Sequence, residues 1–284
     1  MKPSLLVHNR LTLSDFANRI EREFTVKSAI DADLFAATVR IVADVEMLPG
    51  GDVVSPIHDA LNWRYTRFGN QARPTLYAAL LLNEDGSCWQ AKLSTPLKDG
   101  KGKDRKYEAP VGGGSRSFLP EIPTAIRQRI SDRHGVEVPL DGSFWNWLTA
   151  HPEIPIVFTE GGKKALALLS LGYVAIALYG VNGGYRNIGG DRFLTADVER
   201  FAGAGRKVLL AFDQDAELKT QRRVNAALIR FGRLLKQAGA EAAIVSWDGR
   251  DGKGADDLIV WHGYLSRCLH CRAVAGTLAD LAAA

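Results

Sequence analysis

Four short apolar runs in the second half of the chain, at residues 154–158 (interrupted by Pro155), 174–178, 208–212 and 242–245, most constrain its fold. Helix-like stretches at 163–170, 195–201 and 217–238 separate them. Continuous apolar runs of this length suit strands buried on both faces, and strands alternating with helices imply a parallel sheet with crossover helices. In such sheets ligands bind outside the carboxyl ends of the strands. Those ends are acidic: Glu160 closes the first run, Asp213-Gln214-Asp215 closes the third, and Asp256-Asp257 follows the last.

Two strands that deliver carboxylates at their C-terminal ends suggest a divalent-metal site acting on phosphate. Mg²⁺ takes oxygen ligands in near-octahedral geometry, keeps several waters, and is usually held by one or two carboxylates plus substrate phosphate. An Asp-x-Asp at a strand end therefore suits Mg²⁺ better than zinc.

The 284 residues allow two domains, and 46% hydrophobic with 24% charged residues is ordinary globular composition. A net charge of +4 is compatible with a nucleic-acid partner without requiring one. No stretch approaches the roughly 18 apolar residues of a membrane span, and the N-terminus lacks a signal-peptide pattern, so a soluble, cytoplasmic protein is expected. Three cysteines are too few for a disulfide framework. Cys268 and Cys271, near His262 and His270, raise zinc, but a lone pair in an apolar, helix-like segment points away from it.

The first half reads as mixed α+β. Ser14 is expected to cap a helix through Phe24, and Asp31 a second helix leading into a strand at 38–42. Residues 76–82 and 87–93 flank Asn83-Glu84-Asp85-Gly86 as a hairpin, with imperfect alternation. A glycine-rich loop at 94–118 then carries Lys98, Lys101, Lys103, Arg105, Lys106 and Arg116. With Trp63, Tyr65, Phe68, Trp89 and Tyr107 close in sequence, it is either a surface for single-stranded nucleic acid or a solvated loop whose aromatics belong to a core. Pro120, Pro123, a helix to Arg133 and the aromatic connector Phe144-Trp145-Asn146-Trp147 precede a boundary near 150, giving domains at 1–150 and 151–284.

The helix after the Asp pair divides its faces. At about 100° per residue, Lys219, Arg222, Arg223, Arg230 and Arg233 share one arc and Val224, Leu228, Phe231, Leu234 and Leu235 another. The cationic arc is either a solvated exterior or a phosphate contact.

The order Glu-Gly, Asp-x-Asp, acidic loop resembles the Toprim domain of bacterial-type primases, topoisomerases and some nucleases. The wording Thr159-Glu160-Gly161-Gly162-Lys163-Lys164-Ala165, then Gly172-Tyr173-Val174-Ala175-Ile176, Gly180-Val181 and Lys253-Gly254-Ala255-Asp256-Asp257, is similar to the Toprim-like family DUF3854 of plasmid and mobile-element replication proteins. The resemblance implies an α/β fold, a Toprim-like parallel sheet flanked by helices behind a mixed α+β region. It also implies metal-dependent phosphoryl transfer. Glu160 would be the general acid or base, Asp213 and Asp215 would hold Mg²⁺ or Mn²⁺, and Asp256 or Asp257 would complete the shell or hold a second ion.

Primase-type members commonly carry an acid four residues after the glutamate, whereas this chain has Lys164 beside Lys163. Either Lys164 points away, or it takes a cation's place at a phosphate. Primer synthesis on single-stranded DNA or RNA, alongside a helicase on a separate chain, is the leading expectation. The alternatives are a Toprim nuclease, a non-catalytic nucleic-acid-binding module and a haloacid-dehalogenase-type phosphatase with Asp213 as nucleophile.

Overall fold

The computed structural model describes residues 11–63, 73–214, 217–247, 250 and 252–261. The chain begins with α1 (Leu13–Glu21), a π-helical turn (Arg22–Val26), α2 (Ala32–Thr38), β1 (Val39–Ala43), the short pair β2 (Glu46–Met47) and β3 (Val53–Val54), and α3 (Pro56–Ala60). The hairpin β4 (Tyr77–Leu82) and β5 (Cys88–Leu93) follows, then α4 (Thr124–His134) and α5 (Phe144–Thr149). The second half runs β6 (Ile156–Glu160), α6 (Gly162–Ser170), β7 (Ala175–Leu178), the hairpin β8 (Tyr185–Ile188) and β9 (Asp191–Leu194), α7 (Ala196–Glu199), β10 (Lys207–Leu210), α8 (Leu218–Gln237), β11 (Glu241–Ile244) and α9 (Ala255–Trp261).

Thr12, not Ser14, caps α1. Its hydroxyl accepts from Asp15 N–H at 3.1 Å while the Asp15 carboxylate accepts from Thr12 N–H at 3.2 Å. Such a reciprocal box needs an acid or amide three residues on, and Ser14 has Ala17 there. Asp31 caps α2 as expected, accepting from Asp33 N–H at 3.0 Å.

An antiparallel sheet of order β1-β4-β5 is buried on both faces. Ala79 and Leu81 face the main core, while Ala78 and Leu80 pack with Ile57, Leu61 and Trp63 beneath α3. Burial on two sides explains the weak alternation of the hairpin sequence. The second sheet is wholly parallel, ordered β11-β10-β6-β7. From β6 the chain crosses to β7 on one side and then returns to β10 and β11 on the other, so the strand order reverses between β6 and β10. That reversal opens a crevice at the carboxyl edge, where α/β sheets bind ligands.

One buried cluster joins the two halves, reaching from Phe16 through Trp89, Phe118 and Phe158 to Ile259. Phe118 N–H donates to Ala177 O at 2.9 Å and so covers the outer edge of β7. Trp89 stacks between Phe118 and Tyr179, with ring centroids 4.8 and 5.0 Å away.

Candidate metal and phosphate site

Glu160 is the last residue of β6, and the two glycines after it do different work. Gly161 has φ 87°, a left-handed value that lets the strand turn straight into α6. Gly162 is a close approach: a Cβ there would lie 2.5 Å from Leu81 Cδ2 and 3.2 Å from Trp89 Cζ3. The first turn of α6 is thereby pressed onto the antiparallel sheet. Its two lysines, about 100° apart on the helix, diverge.

Lys164 turns into the crevice, its Nζ 2.8 Å from Asp213 Oδ1 and 3.1 Å from the Glu160 carbonyl oxygen. Lys163 turns the other way, to Glu23 Oε1 at 3.2 Å. Asp213 leaves β10 beside the end of β6, because Leu210 pairs with Phe158 and Ala211 N–H donates to Phe158 O at 2.9 Å. Gln214 N–H donates to Lys253 O at 2.9 Å, tying in the loop before α9.

The acidic pair is electrostatically strained. Burial raises the Glu160 pKa above the ordinary glutamate value; Asp213's charge and a hydrogen bond between the two carboxyl groups raise it further, against the pull of Lys164 and Lys253. Asp213 Oδ1 is buried and accepts no directed hydrogen bond, so Lys164 meets it as an ion pair. An oxygen in that state suits a hard cation.

Asp256 and Asp257 separate into two roles. Asp256 is buried and accepts from Ser28 Oγ at 3.0 Å. A Cβ on Gly254 would meet Lys164 Cε at 2.5 Å and Asp256 Oδ1 at 2.7 Å, so both side chains close on one point of backbone. Asp257 is exposed and accepts from Gly254 N–H at 3.0 Å, as a carboxylate in the first turn of a helix does. The structure thus brings Glu160, Lys164 and Asp213 together with Asp256 behind them, and leaves Lys163 and Asp257 outside. Asp215 and the Cys268/Cys271 pair lie outside the described residues. Among the described residues, no three acids, histidines or cysteines are grouped to hold a metal by themselves. Glu160 and Asp213 do fit one ion completed by water and phosphate, the usual Mg²⁺ arrangement.

Three of the six loop cations are engaged within the chain. Lys98 pairs with Asp104 at 2.5 Å, Arg105 with Glu108 at 3.0 Å, and Arg116 with Asp85 at 3.2 Å. Lys101, Lys103 and Lys106 are exposed. Trp63 and Trp89 are core residues and Tyr107 packs against the core, so these three form no stacking surface; Tyr65 and Phe68 lie outside the described residues. On α8, Arg222 and Arg223 are exposed and Arg230 Nε donates to Tyr185 Oη at 3.1 Å. Sequence reasoning missed Glu23 and Ser28, which reach the site's surroundings from the first half and carry no local motif, and gave Lys92 no role at the site.

Residues 144–265 match the family described as "Domain of unknown function (DUF3854)". Residues 144–265 are a DUF3854 domain. An uncharacterized protein of Picosynechococcus sp. (strain ATCC 27264 / PCC 7002 / PR-6) is 41% identical over 191 residues, which cover 64% of this chain and 19% of that protein. The chain thus spans about a fifth of the length of this relative. A solved structure of Aquifex aeolicus primase (zinc-binding and RNA polymerase domains) is similar at 13% identity, covering 91% of this chain and 60% of that one, with a TM-score of 0.40. Among the described residues, no helix is long and apolar enough to cross a membrane. The DUF3854 domain holds Glu160, Lys164, Asp213 and Asp256, with Ser28 supplied from outside it.

Proposed function

We propose that the DUF3854 domain is a Toprim-like, primase-related centre for divalent-metal-dependent phosphoryl transfer on nucleic acid. One observation carries the proposal: Glu160 ends β6 and Asp213 leaves the paired strand β10 at the reversal point of the parallel sheet, with Lys164 Nζ 2.8 Å from Asp213. Carboxylates so close repel one another unless a proton or a cation stands between them. This site has both.

Glu160 and Asp213 would hold one Mg²⁺ or Mn²⁺, with Asp215 the third candidate ligand. Bound there, the ion would offset phosphate charge and help align the attacking and leaving oxygens. Glu160, whose raised pKa keeps a proton within reach, gives or takes it at the reacting oxygen. Lys164 is anchored through the Glu160 carbonyl and directs its charge at a phosphate oxygen, as lysines of phosphate-binding loops do. Asp256, held by Ser28, supports the site from behind.

The test is incubation of the protein with Mg²⁺ or Mn²⁺, single-stranded DNA and labelled nucleotides. Growth of oligonucleotides supports primer synthesis and loss of the strand supports a nuclease. A second reading, a non-catalytic binding module, is favoured by Lys164 already neutralising Asp213. It predicts binding without either product.

A further inference from the structure

Beside the acidic pair, two ammonium groups converge on one carboxylate. Lys163 Nζ lies 3.2 Å from Glu23 Oε1, and Lys92 Nζ binds Glu23 Oε2. The three side chains come from different parts of the fold: Glu23 from the π-helical turn, Lys92 from β5 and Lys163 from the first turn of α6. All three keep about a quarter of their side-chain surface in contact with solvent, at 22%, 26% and 27%. The cluster is therefore reachable from outside. Its charge is unbalanced: two lysines share one acid, and Arg19 adds a third positive charge to the field at Lys92. Burial works against the Glu23 charge, but the hydrogen bond and charge of Lys92, with those of Lys163, hold its carboxyl below the usual glutamate range.

A second observation is independent of the ion pairs. Tyr107 Oη is buried and, among the described residues, has no hydrogen-bond partner. Burial raises its pKa, and the charges of Glu23 and Asp256 raise it further, so the hydroxyl lies within electrostatic reach of both. A buried hydroxyl without an acceptor forgoes the hydrogen bond it would make in water. The ring beneath it lies 6.0 Å from Lys92 Nζ, which places this unused donor next to the lysine cluster.

We propose that Lys92, Lys163 and Tyr107 form a binding site for the polyphosphate chain of a nucleoside triphosphate, and that Glu23 fills this site until the ligand arrives. The inference rests on the phosphoryl-transfer reading for its purpose, because Lys163 and Lys164 are consecutive. Two ammonium groups aimed at one small anion suit a compact polyphosphate better than the spaced charges of a nucleic-acid backbone. Entry requires the Glu23 side chain to leave the two lysines. The π-helical turn that carries it is a form frequent at functional sites.

The experiment is calorimetric titration of the full chain with inorganic tripolyphosphate, without divalent metal or turnover, and in parallel with a single-stranded oligonucleotide. Glu23→Gln is expected to bind tripolyphosphate about tenfold tighter than the parent. Lys163→Met added to Glu23→Gln is expected to remove that gain, with oligonucleotide binding changed by much less. Equal affinity of the parent and Glu23→Gln, or retention of the gain in the double variant, would overturn the proposal and leave Glu23 as a strut between the two halves. Should Glu23→Gln fail to fold, Glu23→Asp withdraws the carboxylate by one methylene and must also bind tighter; no tightening overturns the proposal equally. Because nothing is turned over, failure here leaves the phosphoryl-transfer reading standing, and failure of that reading leaves this binding result standing.

Discussion

Lys164 Nζ lies 2.8 Å from Asp213 Oδ1, with the Lys and Asp side chains 18% and 15% exposed. An ammonium thus stands against a candidate metal ligand. A partly buried pair is strongly destabilising when one partner is removed, because the other charge is left uncompensated. Lys164→Met is expected to lower stability by about 2 kcal/mol in the absence of metal, discounted for the solvent the pair still sees. Millimolar Mg²⁺ is expected to restore most of the loss. Thermal melts of both proteins with Mg²⁺ or with chelator check this; no rescue by Mg²⁺ would separate Asp213 from metal binding.

Glu160 gives the protein a pH dependence of defined sign. Its folded-state pKa is raised above the ordinary 4.5, so the folded state binds the proton more tightly than the unfolded state. The stabilisation is fully present below 4.5 and is lost as pH rises through the folded-state value. Glu160→Gln cannot lose a proton and is expected to melt higher than the parent at pH 8 without metal, with the gap closing towards pH 4. Melting curves across that range check it. A gap that widens on acidification would contradict the assigned direction.

Gly162 is where the two halves press together. A methyl group 2.5 Å from Leu81 Cδ2 cannot be accommodated without movement, and overpacking of a tight core costs about 1–3 kcal/mol. Gly162→Ala is expected to be destabilised by that amount. Leu81→Ala in the same chain is expected to recover part of it, a coupling that a double-mutant cycle measures. Strict additivity would mean that the contact does not set the position of α6.

The two adjacent acids of α9 are expected to behave differently. Asp257 is exposed and bonds Gly254 N–H, so Asp257→Ala should cost roughly 0.5–1 kcal/mol of helix stability and leave metal-dependent chemistry unchanged. Asp256→Ala removes the buried partner of Ser28 and should reduce both stability and activity. Urea melts and product assays on the two variants separate the roles.

The parallel sheet was legible because each strand is a short apolar run closed by a polar or acidic residue, and the order of those acids pointed to the crevice. The hairpin of β4 and β5 was legible from its turn, although burial on both faces blurred its alternation. The β8–β9 hairpin was not expected: most of both strands is exposed, so no apolar pattern marks them. Lys163 and Lys164 look alike in sequence. They diverge because successive residues of a helix lie about 100° apart, and the partners each meets, Glu23 and Asp213, are far away in the chain. Glu23 and Ser28 were invisible for the same reason. The solvated or core-bound status of Trp63, Trp89 and Tyr107, left open by composition, was decided by their packing into the core, Trp89 between Phe118 and Tyr179.

The central claim is that Glu160 and Asp213 form a divalent-metal centre for phosphoryl transfer. It is tested most directly by comparing the parent, Glu160→Gln and Asp213→Asn with Mn²⁺ or Mg²⁺, single-stranded DNA and labelled nucleotides. The account predicts metal-dependent oligonucleotide products from the parent and a loss of about 10²–10⁴-fold in each variant. Products that persist undiminished in both variants, or a parent that binds DNA but forms no product with either metal, would contradict it.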